Sequence, residues 1–224
     1  MLRERTPIEM VFYAIYLYLL GLSLRQTSRA LEALGVARSH EAVRRWVHRF
    51  AGRAEELILG ERADTAIVDE TTVNVAGRQV WLWLAIEPEH RTVLALMLTE
   101  ARNALVAYSL FMDLRSRGVR HIITDNAPWY RLAASWTRLR HSVVRGGMRS
   151  YVERFIEAVK DRLRGFDCYF PSPEKLLDSA LRLVYAWVGF YNYARVHLSF
   201  GKPPRPLQGA NELDRLKAIA IRGD

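Results

Sequence analysis

Four residues in this 224-residue sequence have the types and spacing expected of phosphodiester chemistry. Asp69 lies within one apolar, strand-like run and Asp125 directly follows another, while Glu153 and Lys160 lie seven positions apart on an amphipathic helix. Residues seven positions apart lie on one face of a helix. Carboxylates from two strands and one helix are suited to holding two divalent cations against a phosphate. The sequence therefore predicts an Mg²⁺ or Mn²⁺ site formed by Asp69, Asp125 and Glu153, with Lys160 near the phosphate.

Residues 150–164 are predicted to form the helix that carries the third carboxylate. Ser150 is a suitable N-cap, and apolar side chains recur every three or four positions, as in a helix packed on a core. Glu157 projects from a neighbouring sector of this helix and is the alternative to Glu153 as the third ligand. Glu70, next to Asp69, is expected to face the other side of its strand.

The charge of the chain favours a polyanionic partner. The formal net charge is +9 and the isoelectric point is about 10.0. The excess is greatest at residues 138–164, which carry eight basic and three acidic side chains. Arg149 and Arg154 in this segment are predicted to bind DNA phosphates. The alternative is that these side chains form an ordinary solvated basic surface.

Cysteine, histidine and hydropathy patterns exclude several other classes of protein. Cys168 is the only cysteine, which excludes an internal disulfide and a cysteine-rich zinc motif. The six histidines show no paired metal-ligand spacing, so no zinc site is predicted. The apolar run at residues 10–20 is too short to span a bilayer and lacks a cleavage site. We expect a cytoplasmic protein that has no membrane partner.

Residues 1–62 are predicted to form a small, all-α DNA-binding domain. Three helices are expected, at residues 7–20, 24–34 and 40–50, and residues 52–62 are a linker or a fraying helix end. Ser23 and Gln26 are predicted to form a capping box at the start of the second helix. Two short helices ending in a basic helix indicate a helix-turn-helix. The basic side chains expected to face outward, towards a DNA major groove, are Arg44, Arg45, His48 and Arg49. A three-helix bundle that does not bind DNA is the alternative.

Residues 63–206 are predicted to form an α/β domain, followed by a tail at 207–224 that has no regular structure. Alternating or apolar runs predict strands at 65–75, 79–86, 92–98, 119–124 and 141–145. Helical patterns cover residues 103–117, 127–136, 150–164 and 174–193. Three strands followed by alternating helices and strands indicate a mixed five-stranded sheet flanked by helices. This is the arrangement of a ribonuclease H-like fold, with Asp125 at the carboxyl end of the fourth strand.

Several sequence stretches carry a resemblance to a known family. They are Leu-Gly-Leu-Ser-Leu-Arg (20–25), Ser-His-Glu-Ala-Val-Arg-Arg-Trp-Val (39–47), Val-Asp-Glu-Thr (68–71), Thr-Asp-Asn-Ala (124–127), Val-Glu-Arg-Phe-Ile-Glu-Ala-Val-Lys-Asp-Arg (152–162) and Phe-Tyr-Asn-Tyr-Ala-Arg-Val-His (190–197). In this order they resemble the DDE-type transposases of prokaryotic insertion sequences, within the superfamily that includes retroviral integrases. The resemblance is greatest to the replicative, cointegrate-forming insertion-sequence family six.

The resemblance implies an enzyme that cleaves the ends of a mobile element and joins the freed 3′-hydroxyl to target DNA. It implies that Asp69, Asp125 and Glu153 are the catalytic triad and that Asp69 bridges two metal ions. The spacing between Asp125 and Glu153 is shorter than the family pattern, so Glu157 stays open as the alternative. Expected partners are double-stranded DNA, as terminal inverted repeats and target, and a second copy of the chain.

The last matching stretch adds Arg195 as a DNA-binding candidate. Its neighbours at 191–197 either contact DNA with it or only brace the last long helix. Two other functions are possible on the same fold. One is a DNA-binding regulator that keeps the helix-turn-helix without catalysis, and the other is a structure-specific nuclease that cuts DNA without joining it.

Overall fold

The computed structural model describes residues 6–143, 150–164 and 176–221, with side chains described for 152–161 and 177–221 in the last two ranges. The chain divides after Leu57 and again after Leu181 into two compact units. We call residues 58–181 the sheet unit, and the residues up to Leu57 together with those from Arg182 onward the helical unit. The sequence predicted boundaries after residues 62 and 206, so the structure divides the chain differently.

The described residues contain eight helices and five strands. The helices are α1 (Ile8–Leu20), α2 (Leu24–Ala33), α3 (His40–Gly60), α4 (Ala104–Ser116), α5 (Pro128–Thr137), α6 (Ser150–Arg164), α7 (Leu176–Tyr193) and α8 (Glu212–Ile221). The strands are β1 (Thr65–Val75), β2 (Arg78–Ile86), β3 (Val93–Thr99), β4 (His121–Thr124) and β5 (Arg140–Val143). Each predicted strand and helix is therefore present, and apart from the end of α3 the bounds differ by a few residues.

The strands form one sheet in the order β3-β2-β1-β4-β5. β1, β2 and β3 form an antiparallel meander, whereas β4 pairs in parallel with β1 and β5 in parallel with β4. Asn74 and Gly77 form the first hairpin turn, where Gly77 takes a positive φ that favours glycine. The predicted mixed five-stranded sheet flanked by helices is confirmed.

The two faces of β1 pack against different helices. Ala66 and Val68 belong to a buried cluster with Leu110 and Phe111 of α4 and Ala133 of α5. Successive side chains of a strand point to opposite faces, so the alternate residues of β1 face the other side. α6 packs on β1, and none of its described side chains belongs to that cluster. Side chains at odd positions of β1 therefore face the α6 side of the sheet.

Local capping explains where several helices begin. The Ser23 hydroxyl accepts the Gln26 N–H, while the Gln26 side chain accepts the Ser23 N–H, which is the predicted capping box of α2. Ser39 Oγ accepts the Ala42 N–H at the start of α3, and Asn103 caps α4. These contacts satisfy backbone donors that a helix leaves unpaired at its first turn.

Two predictions for the helical segments are wrong. α3 does not end at Phe50 but continues to Gly60, because buried Ala51, Ala54 and Ile58 extend its apolar face. The tail at 207–224 is not without regular structure, since it contains α8. Leu216 and Ile219 of α8 are buried, and the helix packs against α1.

Within the described parts of the chain, no helix combines the length and hydropathy needed to cross a membrane.

Candidate active site

The parallel pairing of β1 and β4 places Asp69 and Asp125 next to each other. The register pairs Ile67 with Ile123, and each aspartate lies two residues beyond its isoleucine. Neighbouring strands are separated by about 4.8 Å. Two residues is one full repeat of a strand, so Asp69 is on the same side of the sheet as Ile67, and Asp125 directly follows the last residue of β4. The register of β1 on β4 is therefore consistent with the predicted proximity of two of the three carboxylates.

Backbone hydrogen bonds orient both aspartates. Asp69 is 8% exposed, and its Oδ1 accepts the Glu70 N–H at 3.1 Å. Asp125 is half-buried, and its Oδ1 accepts the N–H of Ala127, the N-cap residue of α5, at 2.9 Å. A carboxylate has about four acceptor positions, so one hydrogen bond to the backbone does not prevent it from binding a cation.

The remaining predicted residues lie on α6. Glu153 is in the first turn and is exposed. Glu157, one turn later, is also exposed, and its Oε1 lies 3.3 Å from Nζ of half-buried Lys160. A neighbouring side of α6 is buried through Val152, Phe155, Ile156 and Val159. Glu153, Glu157 and Lys160 thus share the uncovered side of a helix that packs on β1.

One cluster in the described residues brings three potential metal ligands within 4.8 Å of one another, and it is not the predicted triad. It consists of Glu87, Glu89 and His90 in the turn between β2 and β3. The Glu87 carboxylate accepts the N–H groups of Glu89 and His90 and lies 3.1 Å from His90 Nδ1. These contacts explain the cluster as a carboxylate that stabilises a turn.

A buried polar cluster lies on the other face of β1. The Glu70 side chain is 2% exposed, accepts the hydroxyl of Tyr130 in α5, and pairs with Arg102 Nε at 2.8 Å. The Arg102 guanidinium lies 4.4 Å from the ring centroid of Trp81 and 4.1 Å from that of Trp129. Glu70 faces away from Asp69, as the alternation of the strand predicts.

The sequence did not identify the members of this cluster as partners. Arg102 and Tyr130 lie 32 and 60 positions after Glu70. The apolar context of Glu70 is the one local signal, because a charge inside a buried strand requires a partner. Trp83 is buried in the core, whereas Trp81 is half-buried against Arg102.

The electrostatics of the two strands favour a cation. Burial raises the pKa of Glu70, the Tyr130 hydrogen bond and Arg102 oppose this change, and the charges of Asp69 and Asp125 raise the pKa further. Burial, followed by the charge of Glu70, raises the pKa of Tyr130 well above its ordinary value. Adjacent carboxylates repel each other, and a divalent cation with oxygen ligands would remove that repulsion. The donor set at Asp69 and Asp125 therefore fits Mg²⁺ or Mn²⁺.

Hydrogen bonds also join β4 and β5 beside Asp125. Thr124 Oγ1 donates to the backbone oxygen of Asp125 at 2.6 Å and lies 2.8 Å from His141 Nε2. His121 Nε2 lies 2.8 Å from Ser142 Oγ. Burial lowers the pKa of both histidines, so the neutral imidazoles are the favoured forms in the folded protein.

The predicted DNA-binding residues of α3 differ in exposure. Arg45 and Arg49, one helical turn apart, are exposed. Arg44 is half-buried, and its Nε lies 2.9 Å from Oε2 of Glu41. His48 is half-buried, and its pKa is lowered by burial and then by nearby arginines. Arg45 and Arg49 therefore have the exposure that contact with a phosphate requires.

The other predicted DNA-binding residues are distributed along the chain. Arg154 is exposed on α6, and Arg195, after α7, is half-buried with its N–H donating to Phe190 O at 2.7 Å. Arg149 lies outside the described residues, as does Cys168.

Comparison with known proteins identifies relatives of the chain. The profile of a DDE domain, of the IS240 transposase type, matches residues 63–164. An uncharacterized protein of Methanocaldococcus jannaschii is 30% identical over 195 residues, which cover 86% of this chain and 90% of that protein.

Solved structures show the same fold. A chain of the simian T-cell lymphotropic virus intasome, bound to the PP2A regulatory subunit B56 gamma, is 18% identical with a TM-score of 0.50 and covers 68% of this chain and 59% of its own length. The catalytic core of HTLV-2 integrase in complex with magnesium is 21% identical with a TM-score of 0.48, covering 64% and 95% of the two chains. The fold is the ribonuclease H-like fold that the sequence predicted.

Proposed function

Because the chain belongs to the DDE transposases of the integrase-core superfamily, we propose that it cleaves the ends of an insertion sequence and joins the freed 3′-hydroxyl to target DNA. Its membership of insertion-sequence family six is consistent with the IS240-type match. The observation that supports the proposal is the parallel pairing of Ile67 with Ile123, because Asp69 and Asp125 each follow two residues later in their segments.

Asp69, Asp125 and Glu153 are the residues proposed to hold Mg²⁺ or Mn²⁺. When bound, a pair of these ions activates an attacking water or 3′-hydroxyl and stabilises the leaving oxygen. Asp69 lies on the central strand of the sheet, and it would hold the ions together with Asp125 and Glu153. Cleavage and joining need the same arrangement, and no covalent intermediate with the protein is required.

Glu153 is preferred to Glu157 as the third carboxylate. The ion pair between Glu157 and Lys160 gives Glu157 a partner on its own helix. Glu153 lies nearer the start of α6, with Lys160 two turns further along the same side. In this arrangement Lys160 positions a DNA phosphate as a point charge, while Glu153 completes the metal site.

Double-stranded DNA is the proposed partner, as element ends and as target. Contacts with DNA phosphates are assigned to the exposed Arg45, Arg49 and Arg154. The other residues predicted from the sequence to contact DNA are Arg44, His48, Arg149 and Arg195. Since transposition joins two element ends, the active form is proposed to be at least a dimer.

A strand-transfer assay tests the proposed function. The substrate is a duplex carrying the DNA that flanks the gene, pre-cut at one 3′ end, with Mg²⁺ or Mn²⁺ added. Asp69→Asn is expected to abolish cleavage and joining while DNA binding persists, because the change removes one metal ligand. Asp64→Asn is the matched control, since Asp64 is an exposed residue at the start of β1 that pairs with Arg120.

The outcomes separate the proposal from its alternatives. Full strand transfer by Asp69→Asn contradicts the assigned site. Binding without any cutting by the unmodified chain indicates a regulator, and cutting of branched DNA without joining indicates a structure-specific nuclease. Comparing Glu153→Gln with Glu157→Gln in the same assay identifies the third carboxylate, and we expect the larger loss for Glu153→Gln.

A further inference from the structure

Four hydrogen bonds, joined through the residues that make them, connect Asp69 to Asp125 through the opposite face of the sheet. Asp69 Oδ1 accepts the Glu70 N–H at 3.1 Å, and the Glu70 carboxylate accepts the Tyr130 hydroxyl. The Tyr130 N–H donates to Ala127 O at 3.2 Å, and the Ala127 N–H donates to Asp125 Oδ1 at 2.9 Å. The two ends of the series are the carboxylates proposed to bind metal ions.

The hydrogen bond between Tyr130 and Glu70 is the one in this series that joins residues far apart in the sequence. The other hydrogen bonds join residues at most three positions apart, so they fix local conformation only. Glu70 and Tyr130 are 60 positions apart, and their hydrogen bond ties β1 directly to α5. It therefore constrains the strand that carries Asp69 relative to the turn that carries Asp125.

Arg102 holds the Glu70 carboxylate in place for this contact. Its Nε pairs with Glu70 Oε1 at 2.8 Å, while Tyr130 occupies Oε2. The guanidinium lies over the rings of Trp81 and Trp129, and a cation over an aromatic face is attracted to it. Both carboxylate oxygens of Glu70 thus have fixed partners.

We infer that Glu70, acting through Tyr130, is a positioning residue that sets the separation of Asp69 and Asp125 and thereby the affinity of the site for its metal ions. The inference rests on the proposed function, because it takes Asp69 and Asp125 as metal ligands. Glu70 faces away from the two aspartates and does not itself bind the ions. Groups that orient metal ligands by hydrogen bonding, without binding the metal themselves, change metal affinity by about 10–100-fold when they are removed.

Tyr130→Phe is the variant that tests this inference. It removes the hydroxyl but keeps the ring that packs near Trp83 and Phe111, so the core is retained. The Mn²⁺ dissociation constant of the full chain is measured without DNA, from the electron paramagnetic resonance signal of free Mn²⁺. We expect it to rise about tenfold, and the Mg²⁺ concentration that gives half-maximal DNA cleavage to rise with it.

Tyr16→Phe is the matched control, because the Tyr16 hydroxyl also donates to a distant glutamate, Glu212, within the helical unit. Its Mn²⁺ dissociation constant is expected to equal that of the unmodified chain. Glu70→Gln keeps the length of the side chain and can hydrogen-bond to both Arg102 and Tyr130. We therefore expect its Mn²⁺ affinity to lie closer to the unmodified value than that of Tyr130→Phe.

A Mn²⁺ dissociation constant that is equal in Tyr130→Phe and Tyr16→Phe overturns the inference and leaves the cluster with a role in stability alone. Asp69→Asn, measured in the same way, tests the metal site itself. If Asp69→Asn binds Mn²⁺ as tightly as the unmodified chain, the proposed metal site is wrong. If Asp69→Asn alone weakens binding, the metal site stands and the positioning role fails.

Discussion

The two units of this protein differ in how deeply each one buries a hydrogen bond between a tyrosine and a glutamate. In the sheet unit a glutamate whose side chain is 2% exposed, Glu70, is held by Tyr130 and Arg102 beneath the strand that carries Asp69. In the helical unit the corresponding tyrosine–glutamate contact joins Tyr16 to half-buried Glu212, at 2.8 Å. Burial raises the pKa of Tyr130 well above its ordinary value, whereas that of Tyr16 rises to about 12.

This difference indicates where the protein uses buried charge. An ionised group in a core reduces stability unless its partners are well placed, and the helical unit packs its interior almost entirely with apolar and small residues instead. Gly189 of α7 lies so close to Ala54 of α3 that an added Cβ would overlap the alanine side chain. The sheet unit accepts a buried glutamate side chain, paired with the exposed Arg102, behind the residues proposed for chemistry.

The largest expected effect comes from deleting the two glutamates. Glu70→Ala leaves the buried Tyr130 hydroxyl without its acceptor and removes the partner of the exposed Arg102, and we expect a loss of about 3 kcal/mol in the free energy of unfolding. Glu212→Ala removes the acceptor of the Tyr16 hydroxyl and of the Val196 N–H, and we expect the free energy of unfolding to fall by about 1 kcal/mol. Urea unfolding followed by tryptophan fluorescence measures both values. Equal losses contradict the contrast between the two units.

A smaller effect tests the close packing of the helical unit. Gly189→Ala is expected to lower the free energy of unfolding by about 2 kcal/mol, because α3 and α7 must move apart to accept the methyl group. Gly52→Ala is the matched control within α3, where an added Cβ meets nothing within 4 Å. There the better helix propensity of alanine is expected to add about 0.5 kcal/mol. Thermal unfolding distinguishes the opposite signs.

The smallest expected effect is on the loss of folding stability as the pH falls. Burial lowers the pKa of His141 in the sheet unit and of His48 in the helical unit, so the unfolded chain binds more protons than the folded one below pH 6.5. The stability that depends on neutral histidines is present above that pH and is lost as the pH falls further. His141→Gln and His48→Gln are expected to reduce this loss, as measured by unfolding midpoints at pH 7.5 and 5.5. An unchanged pH dependence in both variants contradicts the assignment.

The sequence alone determined the elements and the positions of the two aspartates. Apolar alternation predicted β1 and β4, and hydrogen-bonding side chains such as Ser23 and Gln26 predicted where a helix begins. These signals are local, because a strand or a helix cap depends on residues only a few positions apart. The ribonuclease H-like order of strands and helices followed from them.

Only the tertiary structure decided what surrounds those aspartates. The partners of Glu70 lie 32 and 60 positions away, and no local pattern specifies which distant side chains a strand residue will meet. The extension of α3 to Gly60 and the presence of α8 likewise depend on burial against distant segments, which overrides weak local propensity. The register of β1 on β4, which aligns the two segments that lead to Asp69 and Asp125, is itself a long-range contact, fixed by packing on both faces of the sheet.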